Sequence, residues 1–148
     1  MQVTGKKTTM YDVRLIPQEE MDVIMPYLRM LDNNIPEEVL QQRLDAMMQH
    51  NYLCAGVYDG TELIGISGMW VLEKYYVGKH IEPDNVIIHP DYRGKGAGEL
   101  LMQWIHDYAK EHGCLAMELN CYVSNHKGVA FWIKQGYRIL GYHFRKDL

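Results

Sequence analysis

Cysteine is scarce in this chain of 148 residues, which has only 3, at Cys54, Cys114 and Cys121. An odd number without metal-ligand spacing fits a reducing cytoplasm better than a disulfide framework. Long apolar runs are missing, and no basic-then-apolar leader opens the chain, so neither a membrane span nor a signal peptide is expected. Positive charge is not in excess either. The net charge of −4 argues against nonspecific nucleic-acid binding and is compatible with a cationic partner. The histidines, at 50, 80, 89, 106, 112, 126 and 143, never stand four apart, which removes the helical ligand pair and leaves no metal expected. No internal repeat and no linker divides the chain.

What is present is ordinary globular chemistry, 47% hydrophobic and 23% charged, in a length that suits one domain. Residues 1–10 read as a loose, flexible segment and residues 11–148 as the domain. Tyr11 to Ile16 reads as a first strand. Pro17, Glu19 and Glu20 resemble a helix opening, with Met21, Ile24, Leu28 and Leu31 at helical spacing and Pro26 splitting it. A second helix from Pro36 places Val39, Leu40, Leu44, Met47 and Met48 on one face. Tyr52 to Tyr58 and Leu63 to Trp70 are strand-like runs joined at Asp59-Gly60, a hairpin signal. Glu73 to Lys79 reads as a loop with Tyr75 and Tyr76, before a strand running into Ile88. A helix to Glu111 follows, ended by Gly113, with Leu100, Leu101, Trp104, Ile105, Tyr108 and Ala109 on its apolar side. Then come a strand over Cys114 to Tyr122, a short helix from Asn125 to Gln135, and one or two strands between Tyr137 and Lys146. A hairpin half joined to a β-α-β crossover implies one twisted mixed sheet with helices on both faces, an α/β fold.

The densest chemistry lies in Arg93-Gly94-Lys95-Gly96-Ala97-Gly98, between the strand and the long helix. Glycines at alternate positions let the backbone take positive φ and let a ligand lie against its N–H groups. The first turn of a helix offers unpaired N–H donors and the positive end of its dipole, and Arg93 and Lys95 add charge. The turn reads as a cradle for an anion, most simply a pyrophosphate. A P-loop needs a Gly-Lys-Ser/Thr end that is absent here, and a dinucleotide fingerprint fails because Glu99 stands where its last glycine would be.

Val86-Ile87-Ile88-His89-Pro90-Asp91-Tyr92-Arg93-Gly94-Lys95-Gly96-Ala97-Gly98 resembles the acetyl-CoA-binding motif of the GNAT superfamily of N-acetyltransferases. A later stretch, Asn125 to Tyr137, is similar to that family's second motif, an Asn, an aromatic pair on a short helix and a Gly-aromatic end. The resemblance is specific over 82–137. It implies a GNAT-type sheet splayed between the strand ending at Ile88 and the strand from Cys114. It also implies an acetyltransferase that uses acetyl-CoA as co-substrate and a primary amine of a small molecule or peptide as acceptor, in a direct ternary complex. Nucleic acid, membrane and metal have no part in that reading, and a homodimer fits the family's habit.

By the same resemblance, Val86, Ile87 and Ile88 meet the pantetheine arm by their backbone, and residues 93 to 98 bind the pyrophosphate. Asn125 serves as helix cap, as pantetheine ligand, or as both. Acyl transfer to an amine needs a base, an oxyanion donor and a proton for the thiolate. Glu82 maps to the base, with Glu73, His80, Asp84 and Asn85 as rivals; the backbone N–H of Ile88 maps to the oxyanion donor. Trp132 stands where many of these enzymes carry a tyrosine acid, and an indole N–H donates a hydrogen bond but delivers no proton. Tyr122, Tyr137, His126 and water are then the open sources, with Tyr137 read first as core. Cys114 and Cys121 read as small buried hydrophobes rather than nucleophiles. A coenzyme-binding sensor or scaffold without turnover is the alternative.

Overall fold

The computed structural model describes residues 10–148, so the expected N-terminal segment lies, but for Met10, outside the described residues. Strand β1 (Asp12–Leu15) leads into a 3₁₀ turn (Gln18–Ile24) and helix α1 (Met25–Leu31). The helix expected from Pro17 is therefore divided, with Pro26 in the first α-helical turn, where a missing N–H is harmless. Met21, Ile24 and Leu28 are buried and Leu31 is exposed. Helix α2 (Glu37–Gln49) follows, burying Leu40 and Leu44.

Strands β2 (Tyr52–Asp59) and β3 (Glu62–Lys74) form the hairpin about Gly60, whose φ is +61°. The next segment corrects the loop expected over Glu73 to Lys79. Strand β3 runs on to Lys74 and β4 (Gly78–Ile88) starts at once, so Lys74 and Gly78 pair across a second tight hairpin. Gly78, with φ +72°, supplies the turn conformation that two adjacent tyrosines had hidden. Helix α3 (Ala97–Glu111) crosses back to β5 (Ala116–Met117), which pairs parallel to β4 as in a β-α-β unit. Helix α4 (His126–Lys134) completes the regular structure.

The five strands lie in chain order, β1-β2-β3-β4-β5, antiparallel except for the last pair. One face packs on α1 and α2 through Met25, Leu28, Leu44, Tyr52, Cys54 and Ile66. The other packs on α3 through Val57, Ile64, Met69, Ile81, Leu101 and Ile105. On α3, Met102 is buried and Leu100 is exposed, a rotation of one residue from the expected face.

Two expected strand regions do not form. Of Cys114 to Tyr122 only Ala116–Met117 is strand, and none of residues 137–148 is. A strand is defined by its partner, and beyond Glu118, whose N–H bonds Ile81 O, the segment makes no further backbone bond to β4. Cys54 is buried, and burial pushes its thiol up to about 12; Cys114 and Cys121 are half-buried, less enclosed than expected.

Candidate functional site

The strand β4 carries the site because it breaks regularity twice. Against β3 its register jumps between Ile87 and Asp84, leaving Asn85 and Val86 opposite Ser67 alone. Asn85 sits at φ +53°, a conformation that asparagine tolerates better than most residues. Its surroundings hold it there. Its side-chain Oδ1 accepts from the Tyr52 hydroxyl at 3.2 Å, its N–H donates to Asp84 Oδ1 at 2.9 Å, and Trp70 Nε1 fixes the other Asp84 oxygen at 3.0 Å. Gly68 makes room for this: a Cβ there would strike the Tyr52 ring at 2.6 Å.

On its other edge β4 meets β5 only briefly. Leu115 N–H donates to Lys79 O at 2.8 Å and Glu118 N–H to Ile81 O at 3.0 Å, and after Glu118 the two segments part. The edge of β4 from Glu82 to Ile88 is thus open on that side. His89 N–H bonds to Ile64 O, on the β3 side, at 2.8 Å, so the N–H of Ile88, one residue earlier, points to the open side.

At the end of the open edge lies the glycine turn. Gly94 and Gly96 take φ of +74° and +85°, and no atom lies within 4 Å of where a Cβ would stand on either. The turn thus leaves the approach to the start of α3 clear at these two positions, and the first-turn N–H groups of a helix have no intrahelical partner. A cleft of about 390 Å³ opens here, lined by Ile88, Arg93, Gly94, Gly96, Ala97 and Gly98 of the expected residues. Phe131 and Lys134 of α4 close its far side, and sequence reasoning missed both; a basic residue one turn on from the aromatic pair was the available signal. Arg93 turns back to β4, its Nε donating to Ile88 O at 3.0 Å. Lys95 turns away, bonding Asp91 O at 3.2 Å with its ammonium 5.5 Å over the Tyr92 ring. Val86 packs partly buried on the α3 side, and Ile87 is buried on the opposite face. Glu99 lines the cleft as well, so its fit to a diphosphate rests on the helix start together with Arg93 and Lys134.

Glu82 is held in a polar cluster at the point where β4 and β5 part. Its Oε1 lies 3.0 Å from Lys74 Nζ and 3.2 Å from Nε2 of the fully buried His80. The other ring nitrogen of His80 faces Gly78 O at 3.0 Å, so both ring nitrogens stand opposite oxygen. Glu118 Oε2 stands 4.0 Å from Nε2 and accepts from the Tyr76 hydroxyl at 2.6 Å. The bond to Glu82 raises the Lys74 pKa, and the bond to Glu118 raises that of Tyr76. Lys74 and Glu118 were missed by sequence reasoning, whereas Tyr76 lies in the stretch that was read as a loop; Glu118 lies within the expected strand Cys114 to Tyr122. Donor atoms of His80, Glu82 and Glu118 fall within 4.8 Å of one another, as metal ligands would, but the Lys74 ammonium and the Tyr76 hydroxyl already engage both carboxylates.

Glu82 and Ile88 are six residues apart on one strand, roughly 20 Å. A base at Glu82 acts on the acceptor amine and an oxyanion donor at Ile88 on the thioester carbonyl, so a water between Glu82 and the amine would bridge that separation.

On α4, Asn125 Oδ1 accepts from Gly128 N–H at 3.0 Å, the helix cap that its place implied. Trp132 packs edge-on to Tyr137, centroids 5.4 Å apart, and edge-on to Phe131 at 4.9 Å. The Tyr137 hydroxyl is enclosed without a hydrogen-bond partner, and burial pushes its pKa up to about 12. Tyr122 is 81% exposed on the segment after β5. Among the described residues no helix is long and apolar enough to cross a membrane.

Comparison with known proteins agrees with this geometry. The family model described as the acetyltransferase (GNAT) family matches residues 19–137. An uncharacterized N-acetyltransferase, YhdJ of Bacillus subtilis (strain 168), is 25% identical over 137 residues, 91% of this chain and 96% of that protein. The crystal structure of a Trypanosoma brucei acetyltransferase is similar with a TM-score of 0.74 at 19% identity, covering 94% of this chain and 100% of that one. AAC(6')-Iy, solved with the bisubstrate analogue CoA-S-monomethyl-acetylneamine, gives 0.76 at 14% identity, with coverage of 93% and 99%.

Proposed function

The chain belongs to the acetyltransferase (GNAT) family, and on that premise we propose that residues 11–148 transfer an acetyl group from acetyl-CoA to a primary amine in a direct ternary complex. The glycine turn carries the reading: two positive-φ glycines open a helix N-terminus onto a cleft, at the end of a strand whose edge is free. Acetyl-CoA, the family's co-substrate, supplies a thioester-activated acyl group. The backbone N–H groups from Arg93 to Gly98 hold its pyrophosphate, with Phe131 and Lys134 across the cleft. The open edge of β4 from Val86 to Ile88 aligns the pantetheine arm, and Asn125 adds a ligand to it while capping α4. Anchoring so far from the reacting atoms makes positioning the main catalytic contribution.

Glu82 takes the proton from the acceptor's ammonium, directly or through a water, with His80 fixing its carboxylate. Val86 N–H is the better oxyanion donor than Ile88, being two residues nearer Glu82 and presented to the same edge. Negative charge at Glu82 and Glu118 favours a cationic acceptor, an amino sugar, polyamine, lysine-like or peptide N-terminal amine. The aminoglycoside-related analogue bound to AAC(6')-Iy is of that kind. Trp132 packs against the coenzyme, and the thiolate is protonated by Tyr122, Tyr137, His126 or water. The reading includes no metal, no nucleic acid and no membrane. The three unpaired cysteines suit a cytoplasmic protein.

Calorimetric titration with acetyl-CoA and with acetyl-pantetheine tests the cradle. Acetyl-CoA is expected to bind and the fragment without pyrophosphate to bind far more weakly; no binding at millimolar ligand reduces the turn to a helix cap and removes the proposal. Thiol release with a panel of amines then tests the acceptor, and preference for anionic acceptors would sink the charge argument. Glu82→Gln is expected to lower kcat/KM by on the order of 10²–10⁴. The second reading, a coenzyme sensor, draws on Trp132: it gains if the natural chain binds without turnover and Trp132→Tyr creates activity.

A further inference from the structure

The polar cluster beside β4 already holds a primary ammonium of its own. Lys74 Nζ stands 3.0 Å from Glu82 Oε1, the same carboxylate oxygen that faces Nε2 of the buried His80 at 3.2 Å. Across the gap, Glu118 Oε2 lies 4.0 Å from that nitrogen and accepts from the Tyr76 hydroxyl at 2.6 Å. Among the described residues Glu118 makes no ion pair with a lysine or an arginine. Two carboxylates thus meet one ammonium where β4 and β5 part. The bond to Glu82, then the charge of Glu82 and, more weakly, that of Glu118 raise the Lys74 pKa, so its ammonium feels both acids.

The ammonium gets there by reaching. Lys74 closes β3 opposite Gly78, whereas Glu82 stands opposite Trp70, four residues back along β3 and roughly 13 Å away. The two side chains therefore meet by leaning toward each other along the strands. Among the described residues Lys74 Nζ has no other hydrogen-bond partner. Lys74 is 43% exposed and Glu82 19%. An ion pair open to solvent on one side is weak, and a lysine held in one place forfeits much rotamer freedom. Such a contact opens readily.

We propose, on the reading of Glu82 as the carboxylate that meets the acceptor, that Lys74 is a tethered stand-in for it: its ammonium fills the place at Glu82 that the acceptor's ammonium takes, and the acceptor enters by displacing it. The exchange is like for like. An entering primary ammonium brings the same charge and the same three donors as the one it replaces, so the carboxylates keep a cation throughout. An uncharged acceptor taking that place leaves both carboxylates without one, an arrangement that selects against it. Lys74 thereby makes charge a condition of entry and sets the concentration at which entry occurs. An affinity is reduced by the fraction of the chain that is open to the ligand, and an ion pair of this exposure closes the site enough to weaken acceptor binding roughly two- to sixfold.

Lys74→Met, which keeps an unbranched stem without the charge, is expected to lower KM roughly two- to sixfold for the amine that the natural chain acetylates fastest. The change falls on KM rather than on kcat. Lys74→Arg, whose fork holds a carboxylate at least as well, is expected to leave KM at the natural value or above it. A KM that stays or rises in Lys74→Met overturns the inference, and so does a fall in kcat at constant KM, which makes Lys74 a brace for Glu82 instead. The exchange is also read without turnover, by magnetic resonance of the natural chain carrying carbon-13-labelled lysine. The Lys74 ε-methylene signal, identified by its loss in Lys74→Arg, is expected to move toward the position of a free lysine as methylammonium chloride is added. It moves far less with sodium chloride at the same concentration. Equal shifts with the two salts overturn the inference. If the natural chain acetylates no amine, the functional reading falls, and the Lys74 signal alone decides whether an ammonium displaces this one.

Discussion

The part of the chain up to Ala109 and the part beyond it are equally rich in apolar side chains, but only the first buries them. Every buried residue among those described, from Ile16 to Ala109, lies in the first part. There both sheet faces are covered, one by α1 and α2 and the other by α3. Beyond Ala109, the strand β5, the helix α4 and residues 137–148 leave Leu115, Tyr122, Ile133, Ile139, Tyr142 and Phe144 exposed. The difference teaches where the molecule is self-sufficient. The cradle and the bulge of β4 rest on the closed part, whereas the far wall of the gap and the aromatic side of the cleft rest on the open one.

The sharpest way to break this contrast is a pair of equal truncations. Leu101→Ala, in the fully buried face of α3, is expected to cost roughly 2–5 kcal/mol in urea unfolding. Leu140→Ala, in the exposed segment 137–148, is expected to cost within about 0.5 kcal/mol in a monomeric chain. Equal losses at the two sites would show that the open part is packed after all.

A smaller effect separates shape from space in the cradle. Gly96→Ala forces a Cβ into φ +85°, at a cost of roughly 1–2 kcal/mol, although nothing stands within 4 Å to be struck. Gly98→Ala meets no such strain, since its Cβ would touch Phe131 at an ordinary 3.5 Å, and a helical Ala is favoured over Gly by roughly 0.5–1 kcal/mol. Thermal unfolding is expected to move in opposite directions for the two variants. Acetyl-CoA affinity is expected to fall for both, in Gly96→Ala because the N–H groups are re-aimed and in Gly98→Ala because the cleft narrows. An unchanged affinity in both variants would detach the turn from the ligand.

The same contrast explains what could be read in the sequence. The Asp59-Gly60 hairpin, the division at Pro26, the glycine turn before α3 and the Asn125 cap are local, fixed by residues within a few positions of one another. The short hairpin at Gly78 is local too, but Tyr75 and Tyr76 disguised it as a functional loop. The bulge at Asn85 is not local: its positive φ is held by Tyr52 and Trp70, from two other strands. His80 in the base cluster is likewise explained by tertiary neighbours, Glu82 and Glu118, the second brought in by the crossover. The strands expected after Cys114 and Tyr137 had the right alternation, and alternation predicts a face without predicting a partner.

The mildest test sits at the boundary between the two parts. The Tyr137 hydroxyl is enclosed and unbonded, a state that costs about 1 kcal/mol or more. Tyr137→Phe is therefore expected to be about 1 kcal/mol more stable at pH 7 by thermal unfolding. Burial also raises the folded-state pKa of this phenol from 10 to about 12. The folded chain then holds that proton more tightly than the unfolded one, so the linked stability is whole below pH 10 and lost as pH rises toward 12. The Phe variant lacks that loss, and its advantage should widen across the same interval. A variant less stable at pH 7 would mean that the hydroxyl has found a partner, such as a water. If instead stability rises while kcat falls more than tenfold, the hydroxyl is the proton donor that Trp132 cannot be.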